Sequence, residues 1–387
     1  METIYFDNSA TTKMSQRAQK KMIDVINSHF ANPSSLHALG FDAEKIVSEA
    51  RARILTTLGI ARGVKGELVF TSGGTESNNL AILGVVSSKK RKGNEKILVS
   101  AGEHSSVEKT VSRLEAQGYC VLRVPTRGGR LDLDFIYENA NDVILASFMH
   151  VNNETGALYN LKEAFDIIKA LSPDAVTHAD CVQSYMKVRF TKKSLGADLI
   201  SLSAHKINGA KGTGALYISP EIIKAKKIVP IVYGGGQEGN FRSGTENVYG
   251  IAAFGEAATE HFENMSCEIE TMEKVRAYIS EGLASLGLMV NEPLKHAPHI
   301  INVTIDGIRS ETMLHYLSSK GIYVSSGSAC ASNSAKKASL ALVSFGKTED
   351  EADSSIRISL SPENTKNEAD LLILNIKEAI LSLQKKK

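Results

Sequence analysis

The sequence has 387 residues, of which 42% are hydrophobic and 23% are charged, a composition typical of folded globular proteins and a length sufficient for two domains. Its 45 basic and 43 acidic residues leave a formal net charge of only +2, so we expect no direct nucleic-acid partner. The N-terminal segment has no basic stretch followed by an apolar one, and the longest apolar runs are strand-sized. This predicts a cytoplasmic protein without membrane contact.

Short apolar runs alternate with helical stretches through the first two thirds of the chain. The runs are residues 67–70, 96–100, 119–124, 143–148, 175–178 and 198–202. Such alternation predicts an α/β fold in which helices cover a mostly parallel sheet, whose ligands bind at the carboxyl ends of the strands. Polar or glycine-rich clusters follow the runs at residues 71–79, 103–104, 149–156, 180–183 and 203–214. An active site is therefore expected along that edge of the sheet.

The sequence pattern changes after about residue 260. An amphipathic helix over residues 265–286 and a strand over residues 300–305 predict a second, smaller α+β domain. We therefore expect a large domain over residues 15–260 and a small domain formed by residues 1–14 and 261–387.

Residues 71–79 have the features of a phosphate-binding turn. This Thr-, Ser- and Gly-rich segment follows a strand and precedes a helical run, so free backbone N–H groups and a helix N-terminus would face an anion. An ordinary capped turn is the alternative. The sequence contains no GxxxxGK[ST] motif, and residues 234–239, which match GxGxxG, lack the helical pattern that a dinucleotide site requires after them.

Lys206 and Asp180 add cofactor chemistry to this turn. Lys206 follows a strand among small residues, where an amine can lose its proton as Schiff-base formation requires. Asp180 ends an earlier strand, where a carboxylate can pair with a pyridinium nitrogen. A surface lysine and a helix-capping aspartate are the ordinary alternatives for each residue alone. Their occurrence together with the phosphate turn and His104 favours a pyridoxal-phosphate site.

Several motifs resemble those of the cysteine desulfurases of the NifS and IscS type. They occur in that family's order over nearly the whole chain, at residues 5–12, 32–35, 71–79, 149–156, 201–214, 242–245 and 325–330. The resemblance implies the fold-type I architecture of pyridoxal-phosphate enzymes and a homodimer. It also implies conversion of L-cysteine to L-alanine, with the sulfur delivered to an acceptor such as an iron–sulfur scaffold or a tRNA- or cofactor-thiolation enzyme.

The same resemblance implies individual site residues and no metal. Lys206 would bind the cofactor covalently, Asp180 would pair with its pyridine nitrogen, and Gln183 would bond its phenolic oxygen. His104 would stack on the ring and assist proton transfer. The implied phosphate ligands are Gly74, Thr75, Ser203, His205 and, from the other subunit, Thr245. The implied ligands of the substrate carboxylate are Asn32, Asn153 and Arg357.

Cys330 is the implied acceptor of the sulfur, because a thiolate is the protein nucleophile suited to attack the substrate sulfur. It lies among the small residues 325–335, which predict a mobile loop. Cys120 is expected in the core, and the wide spacing of the four cysteines excludes a CxxC metal site.

The sequence departs from the family pattern at a few positions, namely Gly239-Asn240 before residues 242–245, Cys181 for a usual alanine and Ala210 for a usual proline. Two rival functions remain open at this point. One is a β-lyase or aminotransferase on the same fold that makes no use of Cys330. The other is an inactive homologue that serves as a scaffold in a sulfur-relay complex.

Overall fold

The computed structural model describes residues 3–61, 63, 66–90, 93–326 and 338–384, so that Cys330 and most of its predicted loop lie outside the described residues. The helices are α1 (Gln16–Ser28), α2 (Ala38–Thr57), α3 (Gly74–Ser87), α4 (Ser105–Ala116), α5 (Leu133–Asn139), α6 (Leu161–Leu171), α7 (Lys192–Leu195), α8 (Pro220–Lys224), α9 (Val248–Ser285), α10 (Ser310–Ser319), α11 (Leu340–Phe345), α12 (Glu349–Asp353) and α13 (Lys366–Gln384). The strands are β1 (Ile4–Tyr5), β2 (Leu68–Thr71), β3 (Lys96–Ser100), β4 (Cys120–Val124), β5 (Val143–Met149), β6 (Val176–Asp180), β7 (Leu199–Ser203), β8 (Gly214–Ile218), β9 (Met289–Val290), β10 (Ile300–Thr304), β11 (Ile322–Tyr323), β12 (Ser325–Ser326) and β13 (Ser355–Ser359).

The large sheet has the strand order β2-β8-β7-β6-β5-β3-β4 among the described residues. The pairs among β4, β3, β5, β6 and β7 are all parallel, as the alternation of apolar runs and helices predicts. Strand β8 was not predicted, and it pairs antiparallel with both β2 and β7. Its antiparallel direction lets a short loop return the chain from the end of β7, and Lys206 lies in that loop, within the 3-10 turn Ala204–Lys206.

Local sequence explains where several helices begin. The side chain of Ser15 accepts a hydrogen bond from Ala18 N at the start of α1, and Asp132 accepts one from Phe135 N at the start of α5. Such caps satisfy backbone N–H groups that have no partner within the helix. By contrast, α3 begins after Gly73 without a side-chain cap, so no capping side chain occupies its first N–H groups.

Helix α9 passes through residue 260, the predicted domain boundary. Its first residues, 248–258, are mostly apolar and buried on almost all sides in the core of the large sheet, which is why the amphipathic pattern reveals only the later part. Its second half packs in a separate core beneath the sheet β12-β13-β10-β9. Strand β1 pairs in parallel with β11 on this side of the molecule. The division into two domains stays a prediction.

Cys120 is exposed, so its predicted core position is wrong. It is the first residue of β4, the edge strand of the large sheet, where one side of the strand has no neighbour to cover it. Cys181 is fully buried. No helix in the described part of the chain is long and apolar enough to cross a membrane.

Candidate active site

A cavity of about 340 Å³ opens at the carboxyl ends of β5, β6 and β7. It brings together ten of the residues singled out in the sequence: Gly74, Thr75, His104, Asn153, Asp180, Gln183, Ser203, His205, Lys206 and Arg357. Asn32 and Thr245 do not line this cavity, and both are exposed. Residues far apart in the sequence thus meet at the predicted edge of the sheet, because parallel strands end there together.

The Asp180 carboxyl group is fixed by donors on both of its oxygens. Asn78 Nδ2 donates to Asp180 Oδ2 at 2.7 Å, and Val182 N donates to Asp180 Oδ1 at 2.9 Å. Asn78 Nδ2 also lies 2.8 Å from Ser106 Oγ, which joins helix α3 to the start of α4. Asp180 is 5% exposed, so its carboxyl group is held in one orientation toward the cavity.

Lys206 is held against the N-terminal segment. Its Nζ donates to Ser9 O at 2.5 Å and to Ala10 O at 2.7 Å. Gln183 Nε2 donates to the same Ser9 carbonyl at 2.9 Å. Thr12 N donates to His205 O at 2.9 Å, so the N-terminal segment also supports the turn that carries the lysine.

His104 is the N-cap residue of α4, which fixes the orientation of its ring. Ser106 N donates to His104 Nδ1 at 3.2 Å, so in the neutral ring the proton is on Nε2. Burial lowers the pKa of His104 below its usual range, and Lys206 adds to this effect while Asp180 opposes it. At neutral pH the ring is therefore mainly uncharged, which suits both stacking and proton exchange.

The cavity offers polar groups that fit a phosphorylated pyridine. Ser203 Oγ and Gln183 Oε1 are buried and make no hydrogen bond to any described residue. Burial, with smaller contributions from Lys206, Lys211 and Lys187, lowers the pKa of His205 to about 4, so this ring is neutral and able to donate one hydrogen bond. Ser203 Oγ, His205 and the uncapped start of α3 therefore provide donors for a phosphate, and Gln183 Oε1 provides an acceptor for a ring hydroxyl.

Arg357 lies on β13 and enters the cavity from the small sheet. Its Nη1 donates to Asn153 O at 2.9 Å, and its Nη2 donates to Asp7 Oδ1 at 2.8 Å. A guanidinium has five N–H bonds, so others remain, including that of Nε, which is buried and unpaired within the described ranges. The side chain is thus oriented and still able to bind a carboxylate.

The sequence did not single out every residue that shapes the site. Asn78, Ser106 and Met149 line the cavity, and Glu103 and Lys187 are buried in its surroundings. Asn78 had a detectable signal, because it lies four residues after Gly74 and thus on the same face of a helix. The chain offered no comparable spacing for Lys187.

Comparisons with known proteins identify the family of this chain. Residues 4–372 match the family model described as Aminotransferase class-V. The chain is 35% identical over 388 residues to "Putative cysteine desulfurase IscS 1" of Bacillus subtilis, covering 99% of this chain and 100% of the relative. It is also 35% identical to "Cysteine desulfurase IscS 1" of Archaeoglobus fulgidus, covering 95% of this chain and 94% of that one.

Solved structures extend the similarity to the fold. A chain described as "NIFS-LIKE PROTEIN" superposes with a TM-score of 0.91 at 33% identity, covering 99% of this chain and 100% of the other. A second, "SspA in complex with cysteine", has a TM-score of 0.79 at 30% identity, covering 94% and 100% respectively. These matches confirm the predicted fold-type I architecture.

Proposed function

This chain belongs to the aminotransferase class-V family, and from that membership we propose that it is a pyridoxal-phosphate-dependent cysteine desulfurase. It converts L-cysteine to L-alanine and passes the sulfur to an acceptor. The observation that carries the proposal is the convergence of Lys206, Asp180, His104 and Arg357 on one cavity. These side chains supply the lysine, carboxylate, imidazole and guanidinium that the chemistry requires.

Bound pyridoxal phosphate supplies an electron sink beside the substrate Cα. Asp180 would pair with the pyridine nitrogen, and its carboxyl group is already oriented by Asn78 and Val182. Arg357 binds the substrate carboxylate and thereby orients the Cα–H bond toward Lys206. Lys206 Nζ removes that proton. The neutral His104 ring, which carries its proton on Nε2, assists proton transfer.

Cys330 completes the reaction by sulfur transfer. Its thiolate forms an S–S bond with the substrate sulfur, and the Cβ–S bond of the substrate breaks. The electron pair of that bond stays with the carbon skeleton, which is protonated and leaves as alanine. The support for this role is the resemblance of residues 325–330 to the family motif, because Cys330 lies outside the described residues.

The test separates a desulfurase from a β-lyase by replacing Cys330 with alanine. The Cys330→Ala variant should still bind L-cysteine and change the visible absorption of the bound cofactor. It should form alanine at least about a hundredfold more slowly, a loss of about 2.7 kcal/mol of transition-state stabilisation. Mass spectrometry of the cysteine-treated wild type should find one added sulfur on the Cys330 peptide.

The matched control is Cys267→Ala, which removes an exposed thiol from α9 and should leave alanine formation unchanged. A β-lyase would release sulfide, pyruvate and ammonia and would be nearly indifferent to the loss of Cys330. Unchanged alanine formation in Cys330→Ala, with no added sulfur on the wild-type peptide, would therefore exclude this mechanism.

A homodimer is part of the proposal. Large exposed apolar side chains include Phe30, Leu36, Phe41 and Tyr233, with 60–91% of their surface accessible. Residues next to them in sequence, at positions 33–34 and 236–239, border one cavity of about 630 Å³. A second copy would cover this surface, and Thr245, which is exposed and outside its own cavity, would then complete the phosphate site of its neighbour.

We place the enzyme in the cytoplasm. We propose that the sulfur of its persulfide is transferred to an iron–sulfur scaffold or a thiolation enzyme. The accessible product of this chemistry is sulfur bound to a protein thiol, which a second protein can take up by thiolate attack. Capture of partners with the persulfidated enzyme, compared with Cys330→Ala, identifies the acceptor. An acceptor that is retained equally by Cys330→Ala and never gains sulfur would instead favour a scaffold role.

A further inference from the structure

Glu103 is a buried acid that the proposed reaction does not use. Glu103 follows the end of β3, directly precedes His104 and is 7% exposed. Its Oε1 accepts a hydrogen bond from Ser100 Oγ and another, at 2.8 Å, from Met149 N. Its Oε2 is buried and forms no hydrogen bond with the described residues.

These bonds join two neighbouring loops of the active site. The parallel pairing of β3 with β5 ends at Val99 and Ser147, so Met149 lies beyond the last paired residues. The hydrogen bond from Met149 N to the Glu103 carboxyl group therefore links the two chain segments beyond the end of the backbone pairing between β3 and β5. Met149 and His104, one on each side of this link, both line the cavity.

The surroundings of Glu103 disfavour its charged form. Burial is the main cause that raises its pKa to about 8, and repulsion by Asp180 adds to it, although the bonds from Ser100 and Met149 oppose the shift. Among the described residues, the phenol of Tyr159 also interacts with Glu103, and burial raises the pKa of that phenol as well. No cation among the described residues compensates a charge on Glu103. A buried carboxylate without a countercharge is costly even when one of its oxygens accepts hydrogen bonds, so ionisation would force the loop to admit water.

We propose that Glu103 is a positioning residue that, as an uncharged carboxylic acid, holds His104 in place for the cofactor, and that its ionisation releases this hold. The inference rests on the proposed function, because His104 matters only if a cofactor binds beside it. It assigns a pH-dependent role to a residue that touches neither cofactor nor substrate.

The first experiment measures the dissociation constant of pyridoxal phosphate between pH 6.5 and 9.5 for wild type, Glu103→Gln and Glu103→Ala. Glutamine keeps the accepting oxygen and cannot ionise, so at pH 7 Glu103→Gln should bind within about threefold of wild type. Glu103→Ala leaves Met149 N unpaired and should bind about tenfold more weakly. Above pH 8 the wild type should lose about tenfold more affinity than Glu103→Gln, because only the wild type ionises at this position.

A double-mutant cycle with His104→Gln tests whether Glu103 acts through His104. In that background, exchanging Glu103 for glutamine should no longer change the pH dependence of cofactor binding. A pH difference that persists would show that Glu103 acts on another group and would overturn the positioning role. Glu103→Gln that binds as weakly as Glu103→Ala at pH 7 would overturn it as well, since the charge would then be required.

Unfolding of the cofactor-free protein gives a readout that does not depend on the reaction. An acid whose pKa is raised on folding binds its proton more tightly in the folded state. Its stabilising effect is therefore lost as the pH rises from the pKa of the acid in the unfolded chain to its pKa in the folded protein. The unfolding midpoint of wild type should therefore fall relative to that of Glu103→Gln from about pH 5 to about pH 8 and level off above it. Parallel midpoints would contradict an uncharged Glu103 even if the protein bound no cofactor, a result that would separately refute the proposed function.

Discussion

Lys187 shows how a single buried side chain can make stability depend on pH. It is 7% exposed, and its Nζ has no hydrogen-bond partner in the described part of the molecule. Burial is the main cause that lowers its pKa to about 7, with repulsion from Lys206 and Arg357 adding to the shift. The folded protein therefore resists protonation of an amine that is fully charged in the unfolded chain.

We predict that Lys187→Met is more stable than wild type at pH 7. An amine whose pKa is lowered on folding contributes stability at high pH. This contribution is lost as the pH falls from the pKa of the amine in the unfolded chain toward its pKa in the folded protein. Wild type should therefore lose stability relative to Lys187→Met between about pH 10 and pH 7, by a total of about 3 kcal/mol or more. Urea unfolding at a series of pH values measures the difference.

The control for this prediction is Lys109→Met, which replaces an exposed lysine on α4. It should change the free energy of unfolding by less than about 0.5 kcal/mol at every pH. A gain from Lys187→Met that is the same at pH 7 and pH 10 would mean that better apolar packing, and not the removal of a buried charge, produces it.

At the scale of elements, the start of α3 packs closely against the segment after β6. A Cβ atom added at Gly74 would lie 2.7 Å from Val182 Cγ2, closer than such atoms approach in folded proteins. Val182 directly precedes Gln183 and lies two residues after Asp180, and both of these are residues that we propose to hold the cofactor ring. Glycine at position 74 therefore allows the helix N-terminus and the ring-binding segment to approach each other.

We predict that Gly74→Ala binds pyridoxal phosphate about tenfold or more weakly, since overpacking of this kind costs about 1–3 kcal/mol. Adding Val182→Ala removes the clashing methyl groups and should restore the affinity to within about threefold of wild type. Fluorescence titration of the four proteins measures the effect. A double variant as weak as Gly74→Ala would show that the alanine acts through the helix backbone instead.

At the scale of the whole molecule, the proposed dimer shares its active sites. Lys206 lines the cavity of its own chain, whereas Thr245 lies outside that cavity. If Thr245 serves the neighbouring subunit, a chain defective at Lys206 and a chain defective at Thr245 can together form one intact site.

We predict that Lys206→Ala and Thr245→Asp are each inactive alone and recover about a quarter of wild-type activity when refolded together in equal amounts. Half of the dimers are then mixed, and each mixed dimer has one intact site of two. Alanine formation and an affinity tag on one chain measure activity and mixing. Mixed dimers without activity would refute the sharing, and a monomeric protein would refute the dimer.

Local sequence determined much of this protein by itself. Apart from β8, the described strands of the large sheet follow from short apolar runs, as in β3 (Lys96–Ser100), because a strand buried on both faces needs a nearly unbroken apolar segment. The position of the site also followed, since polar clusters at strand ends collect at one edge of a parallel sheet. The family motifs then implied which side chains bind the cofactor.

Tertiary structure decided what depends on pairing between distant segments. The direction of β8, the exposure of Cys120 on an edge strand and the early start of α9 all depend on which neighbours are present. The bonds from Asn78 to Asp180 and from Met149 to Glu103 join residues 102 and 46 positions apart. No periodicity encodes such contacts, because burial and hydrogen bonding at a residue are set by the packed neighbours that folding brings to it.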